Sequence, residues 1–208
     1  MNVLIVTSSA NGAESVSNRL IDEFTVRLRE AEPGLAIVRR DIGAEPIRHL
    51  TERTVHAIRG KAPETPAERD AIALSDALIA ELREADLVVI GAPMYNFGMA
   101  STLKTWFDHV LRARVTFRYT EAGPEGLLEG KKAVVVESRA GLYSEGSTAA
   151  MDFQEPHIRF LLGFMGIDDV TFVRAEKLAF GPEAAERSIA EAVAELSRLA
   201  GRELALAA

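Results

Sequence analysis

Leu87-Val88-Val89-Ile90-Gly91-Ala92-Pro93-Met94-Tyr95-Asn96-Phe97-Gly98 decides how the rest of the chain is read. Its first four residues are apolar and mostly β-branched, and they predict a strand buried on both faces. Proline lacks the N–H that a ladder needs, so Gly91-Ala92-Pro93 is read as ending the strand and delivering a loop. That loop carries two aromatic rings around an amide, where Ser, Asp or Lys would be ordinary. Two π-faces beside a donor and acceptor suit a planar heteroaromatic ligand, stacked on the rings and hydrogen-bonded at its edge. A loop tucked under a neighbouring helix is the alternative that this stretch leaves open.

The surrounding chain has 208 residues, 48% hydrophobic and 26% charged, enough for one domain spanning 1–208 with a substantial core. A net charge of -7 and a pI near 5.2 argue against nucleic-acid or anionic-membrane partners, which need a basic face. No basic leader precedes Val3-Leu4-Ile5-Val6 and no apolar run approaches membrane-spanning length, so a cytoplasmic protein is expected. Cysteine is absent, which removes disulfides, thiolate nucleophiles and Cys-type zinc sites. Redox chemistry would then come from a bound cofactor. His49, His56, His109 and His157 are scattered, so no metal site is expected, and His109 beside Asp108 is read as a surface residue.

Outward from the opening stretch, compact apolar runs alternate with helical periodicity. Val3–Thr7 reads as strand one, and Leu20, Ile21, Phe24 and Leu28 as a helix stopped by Pro33-Gly34. Leu35–Asp41 is strand two. From Gly43 to Pro66 the pattern is poor, with a short helix at Thr51–Arg59, which suggests a lid, a subunit contact or a solvated insertion. A long helix from Pro66 to Glu84 leads into the Leu87–Ile90 strand, and Ser101 or Thr102 caps the next helix. Val115–Thr120 alternates like a short ribbon, Lys132–Ser138 is strand four and Val170–Ala175 strand five. Helices are expected at Ile158–Met165 and Pro182–Leu199, with an alanine-rich frayed tail after Glu203. This alternation predicts an α/β, doubly wound five-stranded parallel sheet of order 2-1-3-4-5 with helices on both faces. In that order the loops after strands one and three lie side by side at the switch point, where ligands bind.

The loop after strand one, Thr7 to Asn18, is neither Gly-x-Gly-x-x-Gly nor a P-loop; Gly130-Lys131-Lys132 precedes a strand instead of following one. It offers hydroxyls at a helix N-terminus, where unpaired N–H groups can hold a phosphate monoester. Plain helix capping is the alternative. Taken with the aromatic loop and with Ser138-Arg139-Ala140-Gly141 after strand four, it describes FMN, a monophosphate at one end and an isoalloxazine ring at the other.

The residues also carry a family likeness. Ser9 with Ser15-Val16-Ser17, Pro93-Met94-Tyr95-Asn96-Phe97, Leu103-Lys104-Thr105-Trp106, Val115-Thr116-Phe117-Arg118-Tyr119-Thr120, Gly123-Pro124-Glu125-Gly126-Leu127-Leu128, Gly130-Lys131-Lys132 and Asp152-Phe153-Gln154 with Leu162-Gly163-Phe164 together resemble the FMN-dependent NADH azoreductase (NADH:quinone oxidoreductase) family. The likeness runs from the first strand to about Glu176. It implies a flavodoxin-like fold, FMN as cofactor, a homodimer with both sites at the subunit interface, and two-electron reduction of quinones and azo compounds. By position, Ser9, Ser15, Val16 and Ser17 would bind the phosphate. Pro93, Met94, Tyr95, Asn96 and Phe97 would hold the ring and ribityl chain, with Ser138, Arg139, Ala140 and Gly141 at its far edge. Ala100 stands where the family usually has Pro and Ala140 where it usually has Gly, which puts substrate fit, not FMN binding, in doubt.

The expectation is that NADH or NADPH reduces the flavin at N5 and leaves, so that a quinone or azo acceptor stacks in the same slot; no side chain serves as an obligate acid. A flavodoxin-like electron carrier without its own turnover is the rival reading. Phe117 and Tyr119, taken to face opposite sides, and Phe164 are the substrate-pocket candidates. Trp106, Phe107, Val110, Phe117 and Tyr119 are expected to leave an apolar surface that a twofold mate covers, which makes Phe107→Glu the expected probe of the interface.

Overall fold

The computed structural model describes residues 1–205; the last three residues of the alanine-rich tail lie outside them. In chain order the elements are β1 (Asn2–Thr7), α1 (Val16–Ala31), β2 (Ala36–Asp41), α2 (Glu52–Ile58), α3 (Pro66–Glu84), β3 (Leu87–Tyr95), β4 (Gly98–Met99), α4 (Ser101–Val110), β5 (Phe117–Thr120), β6 (Gly123–Gly126), β7 (Lys132–Ser138), α5 (Glu155–Phe164), β8 (Asp169–Ala175) and α6 (Pro182–Ala205). The main sheet runs β2-β1-β3-β7-β8, all parallel. With the short pieces β4, β5 and β6 set aside, this is the expected flavodoxin-like order.

Period-two alternation divides the core between two faces. Leu4 and Val6 of β1, with Val88 and Ile90 of β3, pack against α3, α4 and α5 through Leu78, Leu82, Trp106, Phe107, Ile158 and Leu162. Val3, Ile5, Leu87 and Val89 point the other way, onto α1 and α6 through Leu20, Phe24, Ala192 and Leu196. The helices start where the chain supplies caps: Thr65 and Glu68 form a reciprocal capping box around Pro66 at the head of α3, and Thr51 caps α2.

Several sequence expectations change here. The β3 strand does not stop at Ile90 but continues through Pro93, paired with Ser138, to Tyr95. The Ser8 hydroxyl donates to the Gly91 carbonyl at 2.7 Å, so Gly91 and, two residues on, Pro93 turn their backbone polar groups toward β1. Since β1 ends at Thr7, opposite Gly91, the missing proline N–H forfeits no ladder bond. Helix α4 begins after Ala100 with no side-chain cap; the Thr102 hydroxyl instead donates to the Ser8 carbonyl at 3.2 Å. Trp106, Phe107 and Val110 are completely buried, so this face of α4 belongs to the protomer core and is not a surface awaiting a partner. His109 is also buried. Its Nε2 donates to the Arg48 carbonyl at 3.0 Å, and desolvation keeps its pKa below the usual imidazole value.

The excursion after β2 is a strap across the α3–α4 side. Ile42 and Gly43 N–H both donate to the Thr7 carbonyl, and His49 Nδ1 meets the Thr105 hydroxyl at 2.8 Å. Gly43 is required by close approach, because a Cβ there would lie 2.1 Å from the Ser9 carbonyl oxygen. The strap therefore begins directly against the loop that follows β1.

Candidate functional site at the sheet switch point

Register brings the site together: Thr7 faces Gly91 and Pro93 faces Ser138, so the loops after β1, β3 and β7 leave the sheet side by side. At the first of these, Ser9, Ser15 and Ser17 are all buried. Ser15 caps α1 by accepting from the Asn18 amide at 3.2 Å, and its hydroxyl lies 3.2 Å from that of Ser17. Only one of the three is needed for the cap. Val16 and Ser17 occupy the first two helical positions, where backbone N–H groups have no intrahelical acceptor and the helix dipole favours an anion. Two buried polar atoms beside this cradle, Thr7 Oγ1 and Asn18 Oδ1, lack partners among the described residues, which is what a site built to receive a polar group displays.

The second loop is a two-residue hairpin joining β3 to β4, with Tyr95 paired to Gly98. Asn96 and Phe97 have φ of 48° and 69°, the paired positive dihedrals that match the twist of a tight hairpin. Asn adopts this region readily, whereas a phenylalanine there is strained, and such strain concentrates at ligand sites. Phe97 is 40% exposed and meets the Tyr143 ring edge-on at 5.8 Å. Tyr95 spans the two ends, its hydroxyl accepting from the Ala10 amide at 3.1 Å.

The third loop departs from expectation at Arg139. Its side chain is wholly buried, with Nη2 2.6 Å from Glu137 and Nη1 3.0 Å from Asp152 and 3.3 Å from Glu176. Its N–H donates to the Ala175 carbonyl and its carbonyl accepts from Leu178, so Arg139 ties this loop to the end of β8 and the segment after it. The carbonyls of Ala140 and Gly141 are likewise taken, by Ala179 and Lys177. Gly141 lies so close to Tyr143 that a Cβ would stand 2.8 Å from its ring. Burial lifts the Glu137 carboxyl to about 8 against the pull of Arg139. Burial also pushes Glu176 up, but the Ser144 hydroxyl, the Tyr143 amide and Arg139 outweigh it and hold that carboxyl low.

Phe117, Tyr119 and Phe164 are placed elsewhere. Phe117 and Tyr119 share a face, as residues two apart on a strand must, and touch edge-on at 5.6 Å. Phe117 also meets Phe164 at 4.7 Å. Phe117 and Tyr119 line a hollow of about 420 Å³ with Leu50, Ile58, Asp108 and Leu111, none of which belongs to the switch-point loops. Sequence reasoning missed three members of the site region. Phe153 is 67% exposed and its N–H donates to the Phe97 carbonyl at 3.0 Å. Buried Gln154 donates from Nε2 to the Ala92 carbonyl at 2.8 Å, and Tyr143 backs Phe97. The signal for Phe153 and Gln154 was the Asp152-Phe153-Gln154 run, whose place beside the hairpin shows only once the loops are assembled; Tyr143 had no such signal. Among the described residues no three His, Asp or Glu are grouped as a metal site, and no helix is long and apolar enough to cross a membrane.

A buried, hydroxyl-lined anion cradle and an aromatic hairpin on adjacent strand ends fit a ligand with a phosphate monoester at one end and a flat ring system at the other. Comparison with known proteins points the same way. A family model described as the flavodoxin-like fold matches residues 1–200. An FMN-dependent NADH:quinone oxidoreductase of Hyphomonas neptunium is 56% identical over 199 residues, 96% of this chain and 95% of that one. One from Escherichia coli K12 is 48% identical over 198 residues, covering 95% and 97%. The crystal structure of an azoreductase from Bacillus anthracis superposes with a TM-score of 0.89 at 30% identity, over 97% of this chain and 99% of that one. The chain belongs to the flavodoxin-like family of FMN-dependent NADH:quinone oxidoreductases.

Proposed function

We propose that this protein is an FMN-dependent NADH oxidoreductase that reduces quinones and cleaves azo bonds reductively. The observation that carries this reading is the Tyr95–Ala10 hydrogen bond, which ties the strained aromatic hairpin to the serine cradle and fixes the span between ring end and phosphate end. In this reading Ser9, Ser15 and Ser17, with the first N–H groups of α1, neutralise the phosphate without a cationic side chain. Met94, Tyr95, Asn96 and Phe97 line the ring and ribityl chain, and Ser138 and Gly141 border the far edge.

When bound, FMN supplies the two-electron chemistry. The chain's part is to exclude water, orient the two reactants in turn over one ring face and present hydrogen bonds at the ring edge. His109 is buried and bonded to Arg48, and no side chain is assigned proton transfer. Phe97 and Phe153, both exposed beside the hairpin, form one wall of the slot in which nicotinamide and acceptor alternate. Steady-state kinetics with NADH and NADPH against a benzoquinone and an azo dye test this. Parallel double-reciprocal lines are expected; intersecting lines, from both substrates bound together, remove the shared slot.

The homodimer is proposed on corrected grounds. The apolar face of α4 is internal, but Tyr119 (73% exposed) and Phe160 (65%) end a chain of touching rings that runs through Phe117 and Phe164. A second copy covering this strip would bring Tyr119, which borders no switch-point residue of its own chain, over the partner's flavin site.

A further inference from the structure

Arg139 reaches three segments at once. Through Glu176 it holds the loop after β7, because that carboxylate accepts from the Tyr143 amide at 2.8 Å, the Ser144 amide at 3.1 Å and the Ser144 hydroxyl. Through Asp152 it holds the turn before α5, whose Oδ1 accepts from the Gln154 and Glu155 amides at 2.9 and 3.1 Å. That turn in turn grips the hairpin, by Phe153 N–H to the Phe97 carbonyl and Gln154 Nε2 to the Ala92 carbonyl. Every residue proposed to touch the ring from β3 or β7 is thus within a few covalent or hydrogen bonds of one guanidinium.

A buried cluster of this kind is poorly explained by stability. Desolvating Glu137, Asp152, Glu176 and Arg139 together is costly, and well-packed apolar groups of similar shape do as well or better. What apolar replacements cannot supply is direction: a planar guanidinium fixes the angles of several carboxylates at once. We propose that Arg139 is the positioning residue of the ring end, a clamp that holds the loop after β7, the turn before α5 and the hairpin tip in one frame. The proposal rests on the assignment of these loops to the flavin ring.

Amide hydrogen exchange on the apoprotein, paired with FMN titration, tests it. Asp152→Asn keeps the acceptor for the two α5 amides but cuts the link to Arg139. It should speed exchange at Phe153 about tenfold, leave Tyr143 and Ser144 as in the wild type, and weaken FMN binding about fivefold. Arg139→Met made together with Glu137→Gln, which removes the innermost pair as a neutral unit, should speed exchange in both segments and weaken FMN further. Arg139→Lys should recover only part of each effect. Arg118→Met, which breaks the exposed pair with Glu125, should change neither readout. Unchanged exchange at Phe153 in Asp152→Asn, or faster exchange with wild-type FMN affinity, overturns the proposal. Wild-type protein that binds no FMN overturns the ligand assignment instead, while the exchange data still judge the clamp.

Discussion

Phe97 concentrates the conflict between folding and function in one residue. A phenylalanine at φ 69° costs roughly 1 kcal/mol relative to glycine, and the partial burial of its ring, 40% exposed, offsets a cost of about that size. Phe97→Gly should therefore leave the melting temperature nearly unchanged while FMN binds several-fold more weakly; thermal denaturation and fluorescence titration of the same sample check both. A fall in stability above about 1 kcal/mol with full FMN affinity would show that the ring is structural. Arg139 shows the opposite lesson. Read by position in the chain it is a cofactor-binding candidate; sequence does not reveal that three carboxylates from other segments, Asp152, Glu155 and Glu176, join its near neighbour Glu137 within 4 Å of its guanidinium. His109 was misread for the same reason: its burial depends on the strap laid across α4, a long-range contact that helical periodicity does not encode.

Among the elements, the cradle at the head of α1 separates two functions that adjacent serines share. Ser15 caps the helix, whereas the Ser17 hydroxyl, among the described residues, bonds only with that of Ser15. Ser15→Ala should lower stability by about 1 kcal/mol. Ser17→Ala should leave stability nearly intact and cost roughly tenfold in FMN affinity, with no change for riboflavin, since a hydrogen bond to a charged group contributes about 1.5–3 kcal/mol. Equal losses for FMN and riboflavin would place Ser17 away from the phosphate. The strands and helices were legible because continuous β-branched runs and 3.6-residue periodicity report burial directly: β1, β7 and β8 fall within a residue or so of expectation. The end of β3 was not, because a proline stops a ladder only where its N–H would have had a partner, and that depends on where β1 ends. The serine cradle and the aromatic hairpin were legible as chemistry, whereas Phe153 and Gln154 join the site through the carbonyls of Phe97 and Ala92, and Tyr143 through an edge-on ring contact with Phe97.

At the scale of the whole molecule, the sheet places both halves of the site on one chain, and in the proposed homodimer a second copy covering the exposed aromatic strip would close it. Phe107→Glu no longer probes that contact, since Phe107 lies in the core and a charge there should unfold the protomer. Tyr119→Glu with Phe160→Glu takes its place: sedimentation should show a dimer for the wild type and a folded monomer with lowered quinone reductase activity for the double variant. A wild-type monomer with full activity would remove the shared site. The central claim, turnover at a flavin held between the serine cradle and the Phe97 hairpin, is tested most directly by anaerobic stopped-flow absorbance. The FMN-loaded protein is mixed first with NADH and then with a quinone. Bleaching of the flavin band by NADH, and its return on quinone addition at rates no slower than steady-state turnover, is the result expected. A flavin band that NADH leaves unbleached over minutes would contradict the account and leave an electron carrier in its place.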